Sequence, residues 1–227
     1  MKTRILVASG LALVLAAGYL ANRAYQLSVL SDTFNGIYAD GYWGRDVTGK
    51  GTSGTGSTLE ITREYRAFIE DFIRKHNVRS VVDAGCGDWG FSSAIDWGDA
   101  SYLGIDIASD VIESVRRKHE TDRIKFKVGD ITDDLPRADL LISKDVLQHI
   151  SNELVHKFIR NNLRQGKYKW AILTNDRAAT NGDTVNGGYR AINLAAPPFD
   201  VSGLVDRPIT FGNEQKVTSL LDLTQQH

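Results

Sequence analysis

With 227 residues, 42% of them apolar, and a formal net charge of −1, the chain has enough material for one domain with a full core and too little for two full-sized ones. The near-neutral balance argues against nucleic acid as the main partner, because phosphate binding usually shows as a basic excess. The single cysteine, Cys86, excludes an intrachain disulfide and is compatible with a reducing compartment.

The first element is an uncharged apolar run, Ile5 to Leu20 (ILVASGLALVLAAGYL), with Lys2 and Arg4 before it and Arg23 after it. Its length lies between the core of a signal peptide and a full membrane span of roughly 20 residues. The favoured reading is an uncleaved single-pass anchor over residues 1–24. A cleaved signal, using the small residues Ala16 to Gly18, is the second reading, and a buried core helix the third. The basic residues ahead of the run favour a cytosolic N-terminus with the rest of the chain across the membrane. Residues 25–56 are expected to be an irregular arm or linker. Gly49 to Ser57 (GKGTSGTGS) suits a flexible linker, although Ile37 to Gly44 (IYADGYWG) carries three aromatics that a linker would not need.

Residues 57–227 read as one α/β domain. Ser57-x-x-Glu60 forms a capping box, followed at helical spacing by Tyr65, Phe68, Ile69, Phe72 and Ile73, up to about His76. Strands and helices then alternate. SVVDAG (from Ser80), SYLGID (from Ser101), IKFKVGD (from Ile124), ADLLIS (from Ala138) and KWAILTN (from Lys169) read as five strands. One helix is expected around Ser109 to His119. Another is capped by Ser151, carries Leu154, Val155, Phe158, Ile159 and Leu163, and ends by Gly166. This alternation predicts a doubly wound, mostly parallel, Rossmann-like sheet. The stretch from Arg177 to about Gly203 shows no element and is long enough to be functional. ITFGNEQKVTSLLDL, from Ile209, is expected to close the sheet with one or two more strands.

The functional signal is VVDAGCGDWG, residues 81–90. Gly85, Gly87 and Gly90 satisfy the spacing of a pyrophosphate-binding loop, yet Asp83 and Asp88 bracket them. Asp106 and Asp130 stand at the ends of the next two expected strands, so three consecutive strands deliver a carboxylate to one sheet edge. A pyrophosphate would be repelled by Asp83, and a dinucleotide enzyme would need a substrate domain for which the chain is too short. A ligand with an amine, a ribose and an adenine but no phosphate fits better.

The D-A-G-C-G-D loop, Asp106 and the triplet Gly129-Asp130-Ile131 resemble, in order and spacing, the motifs of class I S-adenosylmethionine-dependent methyltransferases, over roughly residues 57–175. The resemblance implies S-adenosylmethionine as cofactor. It implies that Asp83 helps hold the methionine moiety, Asp106 the ribose hydroxyls and Asp130 the adenine amine. Gly85 and Gly87 would admit a close backbone approach, Cys86 would line the pocket, and Ile107 and Ile131 would sandwich the adenine. A cofactor made in the cytosol favours the inverted membrane orientation, and the sequence does not choose between the two orientations.

SKDVLQHI, residues 143–150, falls where that family places groups beside the transferred methyl. Asp145 and His149 share a face if the segment is helical, and an imidazole suits deprotonation of a hydroxyl; both are candidate catalytic residues. An N-P-P-Y-type tetrapeptide is absent, which lowers planar nitrogens as acceptors. YWG…SGTGS and NGDTVNGGYRAINLAAPPF (from Asn181) resemble a subset of the family acting on sugars and other hydroxylated metabolites. They nominate Trp43, Arg190 and Asn193 for substrate binding. No metal-ligand spacing is present. The expected activity is methyl transfer to an oxygen of a small molecule or glycan, with a non-catalytic cofactor-fold module as the alternative.

Overall fold

The computed structural model describes the backbone of residues 2–212 and 215–224, and side chains from residue 16 onward. The first helix, α1 (Lys2–Ala39), is 38 residues long. It corrects the expectation of an irregular arm from residue 25. Phe34 and Tyr38 are buried, and Leu30 and Ile37 pack against the core. That is an i, i+4, i+7, i+8 stripe, enough to commit the segment to a core-facing helix. Ser31 Oγ donates to Ile107 O (2.9 Å) and Asn35 Nδ2 to Ser109 Oγ (2.9 Å), pinning the second half of α1 to the domain. Most of the apolar run, residues 5–15, lies outside the described side chains. Among the described residues no helix is long and apolar enough to cross a membrane.

After a looped arm comes α2 (Arg63–His76), then β1 (Ser80–Ala84), β2 (Ser101–Asp106), α3 (Ser109–His119), β3 (Ile124–Val128), β4 (Leu140–Lys144), α4 (Asn152–Asn162) and β5 (Trp170–Asp176). The sheet ends with β6 (Leu204–Arg207) and β7 (Lys216–Asp222). The capping box does not start α2. Residues 55–57 form a short 3₁₀ turn, and the helix begins six residues after Ser57 with Thr62 at its N-cap. Ser151, by contrast, does cap α4, its side chain accepting from Leu154 N.

The seven strands lie in the order β3-β2-β1-β4-β5-β7-β6. Strands β1 to β5 are parallel, while β7 runs antiparallel between β5 and β6. All five residues of β4 are buried, as a central strand covered on both faces requires. The strand order reverses between β1 and β4. A crevice therefore opens at their carboxyl ends, where Asp83 and Lys144 lie.

Candidate active site

The glycine loop leaves β1 by a turn that L-residues resist. Gly85 has φ +89° and Gly87 φ +56°. A Cβ on Gly85 would overlap the Val146 side chain, and one on Gly87 would stand 2.5 Å from Ser53 Oγ. The amides of Gly85 and Cys86 both donate to Ile105 O, tying the loop to β2. Asp106 completes the turn: Gly87 N (3.0 Å) and Ala108 N (2.9 Å) donate to its two carboxylate oxygens. Burial raises its pKa against these hydrogen bonds. Asp83 is buried and accepts from Tyr102 Oη at 2.6 Å. Desolvation, opposed by that bond, pushes its carboxyl up to about 7. Asp130 accepts from Thr132 N and Oγ1, pairs with Lys157 Nζ at 3.3 Å, and meets Arg23 of α1.

These groups line one cavity of about 500 Å³. Asp83, Gly85, Cys86, Gly87, Asp106, Ile107, Asp130 and Ile131 are all in its wall, as are Trp43, Asp145 and His149. The opposite wall comes from α1 and the arm, through Leu30, Phe34, Tyr38 and the stretch Ser53 to Ser57. A hydrogen-bonded latch joins the two walls. Tyr38 Oη meets Ser53 Oγ (2.9 Å), and Ser53 bonds Asp88 through its hydroxyl (2.9 Å) and its amide (3.0 Å).

Further along, Asp145 takes a left-handed backbone (φ +58°), with its amide donating to Thr174 O. Lys144 Nζ lies 2.5 Å from one of its oxygens and Lys216 Nζ 3.2 Å from the other. His149 ends a 3₁₀ turn, Leu147–His149, with its ring 5.0 Å from that of Trp43 and 5.8 Å from that of Tyr189. Its Nδ1 is 2.8 Å from Gly188 O. A carbonyl only accepts, so Nδ1 carries the proton and Nε2 keeps its lone pair. Burial lowers the imidazole pKa, against the Gly188 bond and the field of Asp145. Near neutral pH, His149 is a free base.

The cavity fits S-adenosylmethionine by size, by its glycine cradle and by charge. Its volume lies in the range of small-ligand sites. Asp83, Asp88, Asp106, Asp130, Asp145 and Asp176 outnumber Lys144, Arg177 and Lys216 in its wall, which suits a sulfonium rather than a phosphate. Residues 75–179 match a family model described as a methyltransferase domain. The chain therefore carries a methyltransferase domain. Solved structures agree at the level of fold. Magnesium protoporphyrin IX methyltransferase from Synechocystis PCC 6803, with bound S-adenosylhomocysteine, is 16% identical with a TM-score of 0.58, over 86% of this chain and 99% of that one. The N-methyltransferase NodS from Bradyrhizobium japonicum WM9 is 14% identical with a TM-score of 0.55, over 73% of this chain and 88% of that one. An O-methyltransferase family protein from Burkholderia thailandensis is 11% identical with a TM-score of 0.54, over 74% and 58%. No curated protein matches the sequence.

Two expected substrate residues of the methyltransferase stand elsewhere. Arg190 is buried outside the cavity wall. Its guanidinium donates to Gly182 O (3.1 Å), Leu147 O (3.0 Å) and Asn152 Oδ1 (2.8 Å), so it fastens the 177–203 loop to the turn carrying His149. The glycine pair beside it suggested an approach to ligand, but the approach is to backbone. Asn193 caps its own turn, accepting from Ala195 N, and lines a separate small pocket. Sequence reasoning missed Lys144, Asp176, Tyr189 and Lys216 in the main cavity wall. Lys144 adjoins a nominated residue and was open to notice. Lys216 reaches the site only through the antiparallel register Asp176↔Lys216, which carries no local signal.

Proposed function

We propose that this methyltransferase methylates an oxygen of a hydroxyl-bearing small molecule or glycan, with His149 as general base. The observation that carries this reading is the bond from His149 Nδ1 to Gly188 O, which leaves Nε2 basic in a residue of the cavity wall. An amine acceptor loses its proton readily to water once methylated, whereas a hydroxyl gains from a positioned base. When bound, S-adenosylmethionine supplies an electrophilic methyl carbon on a sulfonium. Asp83, Asp106 and Asp130 would hold its methionyl amine, ribose and adenine. His149 Nε2 would take the proton of the acceptor hydroxyl, leaving its oxygen nucleophilic toward that methyl. Asp145 favours the resulting imidazolium by its charge. Trp43 offers an aromatic face for the acceptor, beside the His149 ring.

The reading predicts S-adenosylhomocysteine release with hydroxylated acceptors, followed by mass spectrometry of a metabolite or glycan extract incubated with the enzyme. Methylation confined to nitrogen would overturn it. We also propose that residues 1–24 tether the enzyme to a membrane as a single-pass N-terminal anchor. Support comes from the uninterrupted apolar sequence of residues 5–20. Flotation of the full chain with liposomes, lost on removal of residues 1–24, is the expected result. Equal flotation of both chains would exclude the anchor.

A further inference from the structure

The methionyl tail of the cofactor is a zwitterion, and Asp83, which the resemblance assigns to that tail, can as a carboxylate partner only its amine. The tail's own carboxylate needs a cation in the same part of the cavity. On the sheet, Asp83 of β1 is in register with Ile142 of β4. Residues two apart on a strand share a face, so Lys144 lies on the same sheet face as Asp83, roughly 6–7 Å further along. Its ammonium lowers the Asp83 pKa, so the two groups lie within reach of each other's field.

Lys144 has a side chain only 3% exposed, and it lines the cavity. Its Nζ donates to Asp145 Oδ2 (2.5 Å) and Gly56 O (2.9 Å), and sits 5.2 Å from the Phe91 ring, 5.6 Å from Phe211 and 5.9 Å from Tyr65. An ammonium has three donors, so these two bonds leave one. Held among aromatic rings and away from bulk water, that charge favours an anionic ligand strongly. The other cavity cations are placed differently. Lys216 stands between Asp145 (3.2 Å) and Asp176 (3.1 Å), and Arg177 is half-exposed and pairs with Asp206. Phe91 and Gly56, which contact Lys144, line the cavity together with Asp83 and Asp88.

We propose that Lys144 binds the carboxylate of the cofactor's methionyl tail, beside the amine site at Asp83; this rests on the methyltransferase reading. The test is calorimetry with two ligands. S-Adenosylhomocysteine has the amino-acid tail, and 5′-methylthioadenosine lacks it. Lys144→Met should weaken S-adenosylhomocysteine at least tenfold and leave 5′-methylthioadenosine within twofold. Equal weakening of both, or of neither, overturns the proposal. Lys144→Gln, which keeps a donor toward Gly56 O without the charge, should show the same selective loss. Should neither variant fold, the wild-type enzyme decides: an S-adenosylhomocysteine analogue lacking only the carboxylate should bind at least tenfold more weakly, and equal binding would overturn the assignment. A wild-type enzyme that binds neither nucleoside would instead sink the methyltransferase reading.

Discussion

The two walls of the cavity are built by different means. The sheet wall places Asp83, Asp106 and Asp130 through strand ends, so backbone pairing over β1, β2 and β3 fixes their spacing. The opposite wall comes from one helix and two irregular segments, held by side-chain bonds such as Tyr38–Ser53–Asp88 and the Arg190 clamp. A wall made of backbone is intolerant of shape change, while a wall made of side chains can be loosened one bond at a time. The sheet wall should therefore govern whether cofactor binds, and the opposite wall how well it is held and what is methylated.

The largest effect is expected where the walls meet. Gly87→Val puts a branched side chain at φ +56° and its Cβ 2.5 Å from Ser53 Oγ. The left-handed backbone alone costs about 1–2 kcal/mol, and the overlap adds to it. Calorimetry should detect no S-adenosylhomocysteine binding, a loss of at least about a hundredfold, about 2.7 kcal/mol. Normal binding would mean that the arm is not seated on the loop.

The next effect separates binding from chemistry. His149→Gln should lower kcat about a hundredfold, the low end of a general base's contribution, with cofactor affinity nearly unchanged. The wild-type profile should follow the free imidazole. Burial lowers its pKa, so the base form persists as the pH falls and kcat should drop only below the ordinary imidazole value of about 6.5. A wild-type profile of the same shape as that of His149→Gln would remove His149 from proton transfer.

Those two sites also mark how far the sequence could be read. The five parallel strands, α3 and α4 were visible because buried strands and amphipathic helices alternate with clear turn residues, and Asp83, Asp106 and Asp130 followed from the strand ends. The second half of α1 was hidden: Leu30, Phe34 and Tyr38 repeat every four residues, but the aromatic cluster and glycines just after them favoured a loop reading. Arg190 illustrates a different limit. Residue type says that a guanidinium will find acceptors, but only the path of the chain shows them to be Gly182 O, Leu147 O and Asn152. Lys216 depends on the return of β7 beside β5, a long-range pairing without a local trace.

A smaller change sharpens the sheet wall. Asp106→Ala should weaken S-adenosylhomocysteine about ten- to hundredfold, about 1.5–3 kcal/mol, through loss of charge-assisted bonds. Asp106→Asn retains one acceptor for the loop amides that bind it and should lose less. Equal losses would assign Asp106 to ribose alone. Smaller again, Tyr38→Phe removes one latch bond and should cost cofactor binding about fivefold, near 1 kcal/mol. No change would make the opposite wall a passive cover.

The last prediction concerns a single proton. In the ligand-free enzyme Asp83 titrates at about 7, raised by burial, against an ordinary value of 3.8. Between these values the native state binds a proton that the unfolded state has released, so stability contributed by this group is present at low pH and falls as the pH rises through 7. His149 has the opposite sign, since its lowered pKa makes the unfolded state bind more protons and removes stability as the pH falls below about 6.5. Asp83→Asn should therefore flatten the alkaline-going loss in thermal melts of the ligand-free enzyme while leaving the acid-going loss in place. A cofactor amine beside Asp83 favours its carboxylate, so binding at pH 6 should release up to one proton, and binding at pH 8.5 should release none from this group. Calorimetry in buffers of different ionisation enthalpy reads that number directly. Proton release that persists at pH 6 in Asp83→Asn would place the ionising group elsewhere in the cavity and detach Asp83 from the amine.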